Sequence, residues 1–160
     1  MAKPLLTDVA RYCDRLLRIA EIQDYERAAN GLQVENRRPI SRIAAAVDAS
    51  LATVRLAIEA RADLLLVHHG LFWGAAHPWT GKRYELLRLL LDHDLAVYSA
   101  HLPLDLHPKL GNNARLCEML GLQRRKPFFV SHGQPIGFQG RTVVSREELA
   151  TRLERAVGSK

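Results

Sequence analysis

The sequence predicts an α/β fold: a mainly parallel βαβ sheet flanked by helices, with a metal site at the carboxyl ends of the strands. Short apolar runs at residues 43–47, 64–67 and 96–99 alternate with helical stripes in tight succession, the pattern of right-handed βαβ crossovers. Two of these runs end in polar clusters. Leu64-Leu65-Leu66-Val67 meets His68-His69, and Ala96-Val97-Tyr98-Ser99 leads to His101 and then Asp105. In an open parallel sheet the carboxyl ends of the strands share one edge where ligands gather, so sequence-distant side chains can meet there.

Taken in order, Val9, Tyr12, Cys13, Leu16 and Ala20 repeat at the spacing of one buried helical face and predict a helix over 8–20. Asn30-Gly31 is a turn signal, so Asn30-Gly31-Leu32-Gln33-Val34 is expected in a loop. After the strand at 43–47, Ser50 is a good N-cap, and Leu51, Val54, Ala57 and Ile58 form the stripe of a helix ending near Ala60. A helix over 82–93 is expected to bury Tyr84, Leu87, Leu90 and Leu91 before the strand at 96–99. Residues 112–120 read as a helix stopped by Gly121. Residues 128–131 and 136–143 read as strands, the second interrupted by Gly137 and Gly140. Ser145-x-x-Glu148 is a capping box opening a last helix with Leu149, Leu153 and Val157 inward.

The chain has 160 residues, the size of one domain, and a single α/β domain over 1–160 is expected. No apolar run approaches a membrane span and the amino-terminal stretch is too short and polar for a signal peptide, so a soluble, cytoplasmic protein with no membrane partner is expected. Cys13 and Cys117 fall in helical patterns and not in a C-x-x-C pair, and read as buried thiols of a reducing compartment. The net charge of +6 raises nucleic acid as a partner. The basic residues are scattered, however. Arg37-Arg38 and Arg124-Arg125-Lys126 are the dense clusters, both in connections, and no nucleic-acid motif accompanies them, which favours solvated surface.

At a strand end the chain turns, so the neighbouring imidazoles of His68 and His69 can each address a different ion on one edge, which suits a pair of metals better than one. Asp105 completes a set of nitrogen and oxygen ligands fit for Zn²⁺, Fe or Mn²⁺. His101 either ligates or, the reading preferred here, moves protons beside the metal as a catalytic residue. Pro103 favours an extended loop between His101 and Asp105. Asp48 is a cap or turn residue, or it orients a ligating histidine. Phe72, Trp73, His77, Pro78 and Trp79 line a pocket, pack beneath their loop or meet another subunit. His93, His107 and His132 read as surface or capping histidines. Two close metals would activate a hydroxide against a carbonyl or phosphoryl group, as in many hydrolases. None of Glu85, Asp92, Glu147 and Glu148 stands out as a bridging carboxylate.

These stretches together resemble the NGG-interacting-factor-three-like family, whose bacterial members are labelled GTP cyclohydrolase I type 2 homologues. The resemblance is carried by residues 30–34, Val47-Asp48-Ala49-Ser50, residues 62–69, residues 96–101 with Asp105, and Gly111-Asn112-Asn113, and it covers nearly the whole chain. It implies an α/β protein with two divalent metal ions held by His68, His69 and Asp105, assembled as a ring, a homohexamer. His101 matches a family histidine beside the metals. Gly70 stands where many members have proline, and Leu102-Pro103 where they have Thr-Asn. Members carry a second half with a further His and Glu that complete the metal pair, so the chain is expected to be the N-terminal portion of a longer protein. The implied activity is that of a metal-dependent hydrolase (GTP cyclohydrolase I type 2-like) on a nucleotide or similar small molecule. The alternative is a non-enzymatic metal-binding scaffold or interaction protein forming a ring.

Overall fold

The computed structural model describes residues 3–74, 77–131 and 133–158. The chain forms two compact units, one up to Pro103 and one from Leu104 onward. The first unit holds α1 (Leu6–Leu17), β1 (Gly31–Val34), β2 (Ile43–Asp48), α2 (Leu51–Glu59), β3 (Leu64–His69), α3 (Lys82–Asp92) and β4 (Ala96–Ser99). Its sheet has the order β1-β4-β3-β2. Strands β2, β3 and β4 are parallel, with Asp48 beside His69 and Val67 beside Ser99. The expected βαβ crossovers are therefore present, through α2 and α3.

The sheet is mixed and not purely parallel, because β1 runs antiparallel to β4, with Gly31 opposite Ser99. The turn signal at Asn30-Gly31 is real, since Gly31 has φ +97°, but the chain passes from that turn straight into an edge strand. The turn signal dominates the local pattern and hides the short strand that follows it.

One face of the sheet and the two crossover helices enclose the core. Val54, Leu65, Leu90, Leu95 and Val97 are essentially inaccessible. Strand β4 is buried at every position, which is why it reads as an uninterrupted apolar run. Ser50 caps α2 as expected, its Oγ accepting from the Thr53 amide at 3.1 Å. Helix α3 buries Leu86 and Leu90, whereas Tyr84 and Leu91 are exposed. This helix carries more apolar positions than one face can cover, so the periodicity is right at Leu90 and wrong at Tyr84 and Leu91. Helix α1 buries Leu6 and Ala10 and leaves Tyr12 exposed and Cys13 half-buried. Its tie to the sheet is polar: the buried Tyr98 hydroxyl donates to Asp14 Oδ1 at 2.8 Å. Burial, reinforced by Asp14, raises the Tyr98 pKa, which keeps that donor protonated.

Asp63 closes the opposite end of the sheet. Its Oδ2 accepts from the Ser41 amide (2.8 Å), the Ser41 hydroxyl (2.8 Å) and the Arg42 amide (2.9 Å). Burial alone would raise this carboxyl, but the bonds from Ser41 and Arg42 and the nearby Arg38 bring it below the ordinary value. A depressed folded-state pKa adds stability above the unfolded value, which is lost as pH falls through the folded one. Asp63→Asn is therefore expected to lower neutral-pH stability by about 1–3 kcal/mol. In urea titrations the gap between the two proteins should narrow as pH falls below the ordinary aspartate value of about 3.9; a gap of constant size at acid pH would disprove this role.

The second unit contains α5 (Asn112–Met119), β5 (Gln123–Ser131), β6 (Gln134–Arg141) and α6 (Arg146–Val157), and the short helix α4 (Leu102–Asp105) runs into it. Strands β5 and β6 form an antiparallel hairpin with Phe128 opposite Gly137. β5 begins earlier than expected because Arg124-Arg125-Lys126 reads as a charged connection. It is an exposed strand with an irregularity between Gln123 and Lys126, where Arg124 has φ +49°. The Ser145 cap of α6 forms, with Ser145 Oγ accepting from the Glu148 amide at 3.1 Å. Its apolar stripe is not inward, since Leu153 and Val157 are exposed and no residue of α6 is buried. Cys117 is a buried free thiol. No helix among the described residues is long and apolar enough to cross a membrane.

Candidate metal centre

Because β2, β3 and β4 are parallel, their carboxyl ends bring Asp48, His68 and His69 to one edge, and His101 follows β4 by two residues. His68 and His69, although adjacent in sequence, converge: their ring centroids are 4.7 Å apart, and the His101 ring lies 4.7 Å from His68 and 5.5 Å from His69. Each of the three offers a donor atom within 4.8 Å of the others.

All three rings have the same nitrogen committed. His68 Nδ1 lies 3.1 Å from the Ala100 carbonyl, His69 Nδ1 2.7 Å from Asp48 Oδ1, and His101 Nδ1 2.9 Å from Asp24 Oδ1. A carbonyl or carboxylate oxygen accepts, so each Nδ1 donates, the arrangement that orients an imidazole to ligate a metal through its other nitrogen. Asp48 thus takes the orienting role rather than the cap, which belongs to Ser50.

The deepest of these supports is Asp24, whose side chain is only 5% exposed. Besides His101 it accepts from the Tyr25 amide (2.7 Å), Asn30 Nδ2 (2.8 Å) and the Leu102 amide (3.1 Å). Burial pushes its carboxyl up, yet the bonds from Asn30, His101, Tyr25 and Leu102 outweigh that and hold it below the ordinary range. Asn30 closes the loop, its Oδ1 accepting from the His101 amide at 2.7 Å. No sequence pattern singles out Asp24, and Asn30 reads as a turn residue within a stretch that carries the family resemblance. A loop acid 77 residues from its histidine leaves no local signature.

Asp105 belongs to the second unit, where its Oδ1 accepts from Asn112 Nδ2 at 2.8 Å. The segment before it is helical and not extended: Pro103 sits in the first turn of α4, where its missing N–H costs nothing. Among the other acids, Glu85 pairs with Arg55, Asp92 with Arg88, Glu147 with Arg146 and Glu148 with Arg152. His107 caps its turn, Nδ1 accepting from the Leu110 amide at 2.9 Å, and His93 caps α3. His132 lies outside the described residues. Gly70, directly after His69, lies against the Gln33 amide, which accepts from the Leu71 N–H and donates to the Ala29 carbonyl, so a Cβ there would displace the end of that side chain. Of the aromatic loop, Phe72, Trp73 and Trp79 line a cavity of about 740 Å³.

Three convergent imidazoles suit a borderline divalent ion such as Zn²⁺ and leave coordination positions open. The residues present therefore fit a metal. In comparison with known proteins, the family described as Duf34/NIF3 (NGG1p interacting factor 3) matches residues 4–160. The chain belongs to the Duf34/NIF3 family. It is 50% identical over 133 residues to a GTP cyclohydrolase 1 type 2 homolog of Halobacterium salinarum, covering 82% of this chain and 51% of that one. Its identity to the homolog of the same name from Deinococcus radiodurans is 42% over 153 residues, with coverages of 94% and 57%. Among solved structures, TTHA1606 from Thermus thermophilus superposes with a TM-score of 0.86 at 37% identity, over 96% of this chain and 61% of that one. The chain thus spans a little over half the length of the Duf34/NIF3 relatives it matches.

Proposed function

We propose that this Duf34/NIF3 chain is the metal-holding part of a dinuclear, metal-dependent hydrolase of the GTP cyclohydrolase I type 2-like kind, acting on a nucleotide or similar small molecule. His68, His69 and Asp105 hold the ions, and His101 adds a third imidazole at the same place. The observation that carries the reading is a shared arrangement: three rings converge with ligand atoms within 4.8 Å of one another, and each has Nδ1 against a protein oxygen that can only accept. A histidine placed only for packing has no reason to repeat that arrangement three times. Bound divalent ions supply Lewis acidity toward a carbonyl or phosphoryl oxygen and lower the pKa of water. The protein's own part is to fix the rings: Asp48 and Asp24 set the angle of His69 and His101, and the Ala100 carbonyl sets His68. Asp24 also lets His101 hold or pass a proton.

A second reading, a metal-binding scaffold assembled as a homohexameric ring in the cytoplasm, draws support from β5, where Phe128, Phe129 and Val130 are 52%, 62% and 70% exposed. One experiment separates the two. The zinc- or manganese-loaded chain is assayed for hydrolysis of GTP and simple phosphate esters, before and after chelation, with metal content measured on each sample. Turnover lost on chelation and in His101→Ala supports the enzyme. Stoichiometric metal without turnover, in a ring that survives chelation, supports the scaffold. Absence of metal uptake sinks both.

A further inference from the structure

The cavity of about 740 Å³ in the first unit has walls of unusual composition. Its size falls in the range of small-molecule sites. Phe72, Trp73 and Trp79 line it while remaining 42%, 43% and 36% exposed. Three large aromatic faces left open to water beside one another are expensive unless a planar ligand covers them. They are also held in place. Phe72 and Trp79 meet edge to face with centroids 6.0 Å apart, and the loop is pinned where the Ala29 amide donates to the Phe72 carbonyl at 3.2 Å.

The polar part of the lining is cationic. Arg27, Arg83 and His77 contribute to it, and no carboxylate does among the described residues. Arg83 makes no side-chain ion pair among the described residues, and Arg27 approaches only Glu26, at 3.8 Å, with both side chains exposed, a pairing worth little in water. Guanidinium groups at an aromatic-walled cavity match a phosphate attached to a planar ring.

Trp73 joins this cavity to the imidazoles. Its ring meets His101 edge-on, at 4.4 Å and 86°, and lies 5.9 Å from His69. A ligand against Trp73 is therefore a neighbour of the rings assigned above to the metal.

We propose that this cavity is the substrate subsite for a mononucleotide, its base on Phe72, Trp73 and Trp79 and its phosphate on Arg27 and Arg83. The assignment rests on the proposed metal-site reading for its catalytic meaning, and on the cavity alone for binding. GMP, AMP, CMP and UMP, their nucleosides and inorganic phosphate are titrated into the full chain, following tryptophan fluorescence and equilibrium dialysis. At least one monophosphate is expected to bind about tenfold or more tightly than its nucleoside or phosphate alone, the gain of charge-assisted contacts. Arg27→Gln/Arg83→Gln should erase that gain with unchanged zinc content and melting temperature, and Trp79→Ala should weaken nucleotide and nucleoside alike. Four monophosphates that bind no better than inorganic phosphate, or a double variant that keeps the gain, overturn the proposal. Arg83→Gln alone, at an exposed helical position, serves if the double variant does not fold. Zinc uptake without nucleotide discrimination defeats this inference alone; nucleotide discrimination without zinc uptake defeats only the metal reading.

Discussion

Alanine at both His68 and His69 is expected to abolish stoichiometric zinc uptake while leaving the chain folded. The two residues supply two of the three convergent imidazoles. Loss of an orienting partner alone typically costs about 10–100-fold in metal affinity, so removing two ligands should cost more than about 100-fold. The fold should tolerate the change. The His69 side chain is 45% exposed, and the bond from His68 to the Ala100 carbonyl is worth about 1 kcal/mol. Asp48→Asn is the graded control: it keeps the ligands but weakens the hold on the His69 tautomer, so affinity should drop by about tenfold. Calorimetric zinc titrations with urea unfolding of the same samples would check this. Wild-type affinity in the double variant would leave the three imidazoles as a hydrogen-bonded cluster with no ligating role.

Asp24→Ala should be the most damaging single change for the fold. Four donors converge on that carboxylate, the amides of Tyr25 and Leu102, Asn30 Nδ2 and His101 Nδ1, and it is nearly inaccessible. Truncation leaves these donors facing a void, and breaking a buried pair of this kind costs about 3–5 kcal/mol. For a unit of roughly 100 residues that corresponds to a fall in melting temperature of about 12 °C or more. The same change frees the His101 ring, so zinc affinity should fall too. Asp24→Asn, which keeps one acceptor, should lie between the two in both measurements. A melting temperature within a few degrees of the wild type would mean that water replaces the carboxylate.

How much of this was legible in the chain differs by residue. Strands β3 and β4 were visible because strands covered on both faces are continuous apolar runs, and His68, His69 and His101 stood out as polar groups ending them. The family was visible for the same reason, since its motifs sit at those strand ends. Strand β1 was hidden behind a turn signal, and its antiparallel pairing with β4 made the sheet mixed. The stripes of α1, α3 and α6 were misjudged where a helix carries more apolar residues than its neighbours can cover, as at Tyr84, Leu91 and Leu153.

The sequence by itself determined the parallel βαβ core and the kind of chemistry available at its edge, because both follow from short-range pattern: apolar runs of strand length, crossover helices between them and imidazoles at their ends. Only the tertiary structure decided which nitrogen each imidazole presents. That choice depends on the Ala100 carbonyl, Asp48 and Asp24, which reach the rings across 32, 21 and 77 residues of chain. Hydrogen-bond partners at such separations are selected by how strands and loops pack, and packing of that range leaves no periodicity in the chain to read.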